Sequence, residues 1–173
     1  NHAKENNSIF HIIGILSPGG VHGHINHIKA IIKIAVDNGL KNISLHLITD
    51  GRDVLPKSAL WYLKDLNQYI KKFKHSNIKI SSISGRYYAM DRDNNLDRTK
   101  KFFNCITKGN KFYRKTPKDA IDDSYNKGVF DEFIEPTMIE NGYLINENDS
   151  VVFTNFRSDR ARQITKMLYD DHI

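Results

Sequence analysis

Eight of the 26 basic residues in this lysine-rich chain are arginines, and six of those eight fall in three short stretches. The stretches are Asp50-Gly51-Arg52-Asp53, Gly85-Arg86-Tyr87-Tyr88-Ala89-Met90-Asp91-Arg92-Asp93 and Asn155-Phe156-Arg157-Ser158-Asp159-Arg160-Ala161-Arg162. A surface that needs only solubility accepts lysine at such positions. A planar guanidinium is required where a carboxylate or phosphate must be gripped through two parallel hydrogen bonds. Three arginine clusters in a lysine background therefore imply a pocket for a small, doubly anionic ligand.

Each stretch admits a functional and a structural reading. In the first, Arg52 grips an anion while Asp53 handles a hydroxyl proton; alternatively the segment is a glycine turn with a local ion pair, and Asp53 caps the next helix. The second has neither helical nor strand period and concentrates two arginines and two tyrosines in one loop. In the third, Arg157 and Arg160 are three apart, so a helix starting at Ser158 brings both to one face. Arg162 points elsewhere and reads as structural. A fourth segment, Ser17-Pro18-Gly19-Gly20-Val21-His22-Gly23-His24, has the small residues that let backbone N–H groups approach an anion at a helix N-terminus. His22 is its candidate contact. His24 reads as a turn or capping group and His27 as part of a solvated helix face, since His-x-His without a nearby carboxylate or thiolate is weak support for a metal.

The elements that must carry these segments alternate. The near-continuous apolar run Phe10–Leu16 reads as a strand covered on both faces, and the β-rich runs Ile43–Ile48, Ile78–Ile83 and Val151–Thr154 read as further strands. Helical spacing predicts helices over Ile25–Asn38, with Gly39 as the stop, from Pro56 to about Phe73, over Leu96–Thr107, Lys118–Lys127 and Ser158–Tyr169. Phe133–Leu144 is expected to hold one or two short strands around Pro136. This alternation predicts an α/β fold, a three-layer α/β/α arrangement with a mostly parallel central sheet. All four candidate segments then leave strand carboxyl ends, where open α/β sheets bind ligands.

At 173 residues and 20.0 kDa the chain forms one domain with a real core. Its net charge of +6 favours anionic partners. The lysines are scattered, and the one local group, Lys71-Lys72 with Lys74, sits at a helix end where it complements the dipole, so no nucleic-acid partner is expected. Cys105 is the only cysteine. It excludes an internal disulfide, reads as a buried thiol in a helix, and implies a reducing, cytoplasmic setting. No apolar run approaches the roughly 20 residues of a membrane span. The chain begins at Asn1 rather than Met and reads as a piece of a longer protein.

In this order, the four segments resemble the cofactor-independent (2,3-bisphosphoglycerate-independent) phosphoglycerate mutases from about Phe10 to Thr165. The nine-residue Arg-Tyr-Tyr motif is the specific one. The chain departs from the family pattern at Pro18, usually aspartate, at Gly23, usually serine, and at Val54-Leu55-Pro56, commonly Thr-Pro-Pro. The resemblance assigns residues 1–173 to the inserted substrate-binding (phosphotransferase) domain of a two-domain enzyme that interconverts 3- and 2-phosphoglycerate in glycolysis. It implies His22, Arg52, Asp53, Arg86, Arg92, Arg157 and Arg160 as substrate-binding residues and Asp53 as the catalytic acid/base. No metal site is expected in this chain; two Mn²⁺ or Mg²⁺ and a phosphoserine are expected in a missing domain similar to alkaline phosphatase. The implied partners are the phosphoglycerates and that domain in cis, within a monomer. The alternative is a stand-alone binding module for a small phosphorylated metabolite.

Overall fold

A computed structural model describes residues 1–109 and 113–169. A short helix α1 (His2–Glu5) precedes strand β1 (Phe10–Ile15), helix α2 (Ile25–Asp37), β2 (Asn42–Thr49), α3 (Ala59–Ile70) and β3 (Asn77–Gly85). One helical turn, α4 (Arg86–Ala89), leads to α5 (Leu96–Lys108), β4 (Tyr113–Arg114), α6 (Pro117–Asn126), β5 (Thr137–Ile139), β6 (Ser150–Phe153) and α7 (Arg162–Tyr169). Single 3₁₀ turns occupy Asp131–Phe133 and Ser158–Arg160.

The six strands form one sheet in the order β4-β5-β3-β2-β1-β6. The four long or central strands are parallel, and β5 runs antiparallel to β3. Every residue of β1 from His11 to Ile15 is buried because successive side chains enter cores on opposite faces. Ile12, Leu45 and Ile83 pack with Ile28 and Ile32 of α2, Leu63 and Leu66 of α3 and Ile121 of α6. Ile13, Ile15 and Ile48 pack with Ala89, Met90, Phe102, Ile106 and Ile164 from α4, α5 and α7. The three-layer α/β/α arrangement predicted from the sequence is the one observed. Cys105 is buried, and burial pushes its thiol up to about 12.

Three elements differ from the sequence expectation. Helix α3 starts at Ala59 rather than near Pro56, because its first N–H groups are fixed from outside: Ser58 and Ala59 donate to Asp131 Oδ2 at 2.8 and 2.9 Å. The Gly85–Asp93 stretch contains the turn of helix α4 at Arg86–Ala89. The last helix begins only at Arg162. Phe156 N–H and Arg157 N–H both donate to the His22 carbonyl, at 2.8 and 3.4 Å, so the chain stays extended through Arg157. Arg157 and Arg160 therefore do not share a regular helical face. Of the one or two short strands expected around Pro136, one is present, β5.

The turn at Asp131–Phe133 wedges between the carboxyl ends of β2 and β3. Asp131 accepts Ser58 N–H, Ala59 N–H and the Tyr125 hydroxyl, while its carbonyl accepts the Thr49 hydroxyl at 2.7 Å. Gly85 has no room for a side chain: a Cβ there comes within 2.3 Å of the Glu132 carbonyl oxygen and 2.7 Å of Ile134 N. Gly51, at φ +67, meets the same turn through Asp131 Cβ and Glu132 N, both at 2.8 Å. Below this end, the buried imidazoles of His11 and His46 are joined at 2.9 Å, His11 reaching Asp149 and His46 reaching Ser82. Burial lowers both pKa values from 6.5; Asp149 opposes this at His11, and His11 adds to it at His46.

Two expectations follow. Gly85→Ala clashes with backbone atoms and should destabilise by about 2–4 kcal/mol in urea unfolding; a loss below about 0.5 kcal/mol contradicts the wedge. The histidine pair resists protons that the unfolded chain accepts, so its stability is present above pH 6.5 and is lost as pH falls below it. Unfolding free energy should drop between pH 7.5 and 5.5, by at most about 1.4 kcal/mol for each histidine that stays neutral in the folded chain. A flat profile over that window contradicts the burial argument.

Candidate functional site

The strand ends converge on an ion network centred on Arg86. Its side chain is 3% exposed and donates through Nη1 to Asp50 Oδ1 at 2.7 Å and Asp53 Oδ2 at 2.5 Å. Burial works against the guanidinium charge, but the hydrogen bonds to Asp53 and Asp50 outweigh it and raise the pKa. Asp50 in turn accepts the Ser17 hydroxyl at 2.7 Å and the N–H groups of Arg52 and Asp53. Burial disfavours its charge too, yet those donors and Arg86 hold its carboxyl below the ordinary range. Asp53 thus faces Arg86 and does not cap α3, whose first N–H groups use Asp131. The first loop stays well bonded with Pro18 in place, since Gly19 N–H donates to Ser17 Oγ at 3.0 Å. A Cβ at Gly23 approaches Asn155 Oδ1 to 2.7 Å and Ile15 Cγ2 to 2.9 Å, so the serine usual at that place would force its neighbours to shift.

Beside this network lies a recess of about 300 Å³ lined by Arg52, Arg86, Tyr87, Asp91, Arg92, Asp93, Arg98, Glu132, Phe133 and Arg160. Four of the sequence-predicted arginines, 52, 86, 92 and 160, meet here. His22, Asp53 and Arg157 are not lining residues but adjoin it. His22 is buried, with Nε2 4.0 Å from Asp53 Oδ2, and Arg157 reaches Asp159 at 3.0 Å. Burial, then Arg86 and Arg157, lower the His22 pKa. Arg162 is exposed and donates to Ser158 Oγ at 3.4 Å. His24 caps α2 by accepting Asn26 N–H at 3.0 Å, and exposed His27 packs edge-on against Phe156.

Sequence reasoning missed Arg98, Glu132 and Asp159. Arg98 projects from α5, where its guanidinium lies 4.0 Å from the centre of the Tyr87 ring and 3.4 Å from Asp91. Glu132 pairs with Arg52 at 3.3 Å, and Asp159 Oδ2 holds Arg92 at 3.1 Å as well as Arg157. Arg160 differs from the others. Its Nη1 donates to the Met90 carbonyl at 2.9 Å, and its Nε is buried with no hydrogen-bond partner. Burial first, and then the charges of Arg92, Arg86 and Arg52, lower its pKa. Five arginines and three carboxylates line the recess, and Asp50, Asp53 and Asp159 pair with Arg86 and Arg92 from beside it, so what the lining offers an anion is a set of directed guanidinium donors. Among the described residues no group of His, Cys, Asp or Glu is gathered to hold a metal. A second recess, about 130 Å³ beside α6 and β5, has its arginine, Arg114, paired with Asp123.

Comparison with known proteins agrees over the whole length. Residues 1–173 match the family described as BPG-independent PGAM N-terminus. The 2,3-bisphosphoglycerate-independent phosphoglycerate mutase of Methanococcoides burtonii is 47% identical over 98% of this chain and 33% of its own length. That of Helicobacter hepaticus is 47% identical over 95% of this chain and 32% of its own. The solved phosphoglycerate mutase of Leishmania mexicana superposes with a TM-score of 0.90 at 30% identity, over 96% of this chain and 32% of that one. The chain spans about a third of the length of the curated relatives it matches. With its fold, its four strand-end segments and this full-length match, the chain belongs to the family of BPG-independent phosphoglycerate mutase N-terminal domains.

Proposed function

We propose that this chain seats 3- or 2-phosphoglycerate in a 2,3-bisphosphoglycerate-independent phosphoglycerate mutase and holds glycerate while the phosphoryl group changes hydroxyls. The observation that carries this reading is the recess of about 300 Å³ lined by five arginines, one of which has a buried N–H without a partner. Each arginine but Arg160 rests on a protein carboxylate, and Arg160 keeps a buried donor unspent. A compact ligand with a carboxylate and a phosphate supplies the missing acceptors and neutralises the crowded guanidinium groups.

In this reading Arg52, Arg92 and Arg160 grip the ligand's anionic ends, and Arg157 and His22 close the rim. Arg86 lines the recess and holds Asp53, which takes or returns the proton of a glycerate hydroxyl. Several directed donors keep the small acid bound and oriented between the two transfers. The serine that carries the phosphoryl group and the two Mn²⁺ or Mg²⁺ ions belong to a phosphatase-like domain of the full-length protein. That domain closes over the arginines and excludes water. The lone buried thiol of Cys105 suits the reducing cytoplasm.

The chain by itself should convert no 3-phosphoglycerate; measurable turnover in a preparation free of full-length enzyme refutes the division of labour. In the full-length protein, Arg86→Lys and Arg157→Lys keep the charge but lose the fork. Each should lower kcat/KM by about 10- to 100-fold, the worth of one or two charge-assisted hydrogen bonds. Near-normal kinetics in both variants, with the fold verified by circular dichroism, sinks the fork-recognition reading.

A further inference from the structure

Around His22 two buried polar atoms face each other without a hydrogen bond. Nδ1 of His22 and Oδ1 of Asp159 lie 3.9 Å apart, and neither has a partner. A buried polar group left unsatisfied costs about 1–3 kcal/mol, so another interaction must hold them apart. It acts on the second oxygen of the same carboxylate, where Oδ2 takes Arg92 at 3.1 Å and Arg157 at 3.0 Å. On the opposite edge of the imidazole, Nε2 stands 4.0 Å from Asp53 Oδ2. His22 therefore sits between two carboxylates and bonds to neither. The charged groups facing it are Asp53 from the loop after β2, Arg86 from α4, and Arg157 and Asp159 from the segment after β6.

We propose that Asp159 is a positioning residue that transfers its hold from Arg92 and Arg157 to His22 when an anion occupies those two arginines, so that His22 is locked with Nε2 facing Asp53. This rests on the phosphoglycerate reading above. A movement of about 1 Å brings Oδ1 within hydrogen-bond distance of Nδ1. The carboxylate then fixes the Nδ1–H tautomer. The 4.0 Å gap between Nε2 and Asp53 admits an oxygen about 2.8 Å from both, the place for a glycerate hydroxyl. The anion cancels charge on Arg157, and Asp159 moves closer. Both changes favour the imidazolium, and a proton taken from solvent then sits on Nε2. No other bond forms or breaks.

The test is a ¹⁵N pH titration of the His22 ring nitrogens in the full-length protein. It is run without ligand, with 3-phosphoglycerate, and with inorganic phosphate as a probe of charge alone, in wild type and in Asp159→Asn. The His22 signals are assigned with His22→Gln. In wild type, 3-phosphoglycerate should raise the titration midpoint by about one unit and populate the Nδ1–H tautomer. In the near-isosteric Asp159→Asn most of that rise should be lost. Perturbation of the arginine side-chain signals with no response at His22 overturns this proposal and leaves the phosphoglycerate reading intact. An equal rise in Asp159→Asn also overturns it. No perturbation at arginine or histidine overturns both. Should Asp159→Asn fail to fold, a wild-type His22 that neither shifts its midpoint nor populates the Nδ1–H tautomer with 3-phosphoglycerate still overturns the proposal.

Discussion

Arg86 and its two aspartates fix the ligand end of the sheet. The guanidinium is almost fully buried, and a buried charge is tolerated only when it is paired and its donors are used. Asp50 supplies that pairing and at the same time binds the Ser17 hydroxyl and the backbone after Gly51. One carboxylate thus ties together the loops that follow β1, β2 and β3. Removing either partner leaves the other charged and dry, which costs about 3–5 kcal/mol. The arginine-lined surface of the recess is built on a network in which the buried positive charge is already met by two carboxylates.

The outer arginines are arranged on a different principle. Glu132, Asp159 and Asp91 hold Arg52, Arg92 and Arg98 at 3.3, 3.1 and 3.4 Å. Exposed or half-exposed pairs of this kind contribute little stability. Their value lies in orientation, because a fork held by one weak acceptor is already turned toward the recess. Arg160 is held instead by a backbone carbonyl, which carries no formal charge.

The layers were legible in the sequence because β1 reads as a near-continuous apolar run and the β-rich runs alternate with segments of helical period. The arginine motifs were legible as a group because each follows a strand directly, and the parallel sheet brings those ends together. Local pattern failed where a distant residue decided the geometry. Asp131 sets the start of α3 from 72 positions away, and the His22 carbonyl keeps Phe156 and Arg157 extended where helical spacing began. Arg98 and Glu132 gave no signal for a related reason. One sits in an ordinary amphipathic helix and the other in a single 3₁₀ turn, and only packing across the sheet end turns them toward the recess.

The outermost long strand, β6, pairs only with β1, although some 135 residues separate them, and the arginines at 157 and 160 follow it immediately. Contacts between such distant parts of a chain are slow to form. The recess is complete only once β6 has paired with β1 and α7 has closed its core through Ile164. A partly folded chain carries the same guanidinium groups spread along an open coil, where their repulsion is screened by solvent salt. The arginine-lined recess is thus a property of the finished molecule, and any small anion that bound at this end of the sheet would favour completed folding.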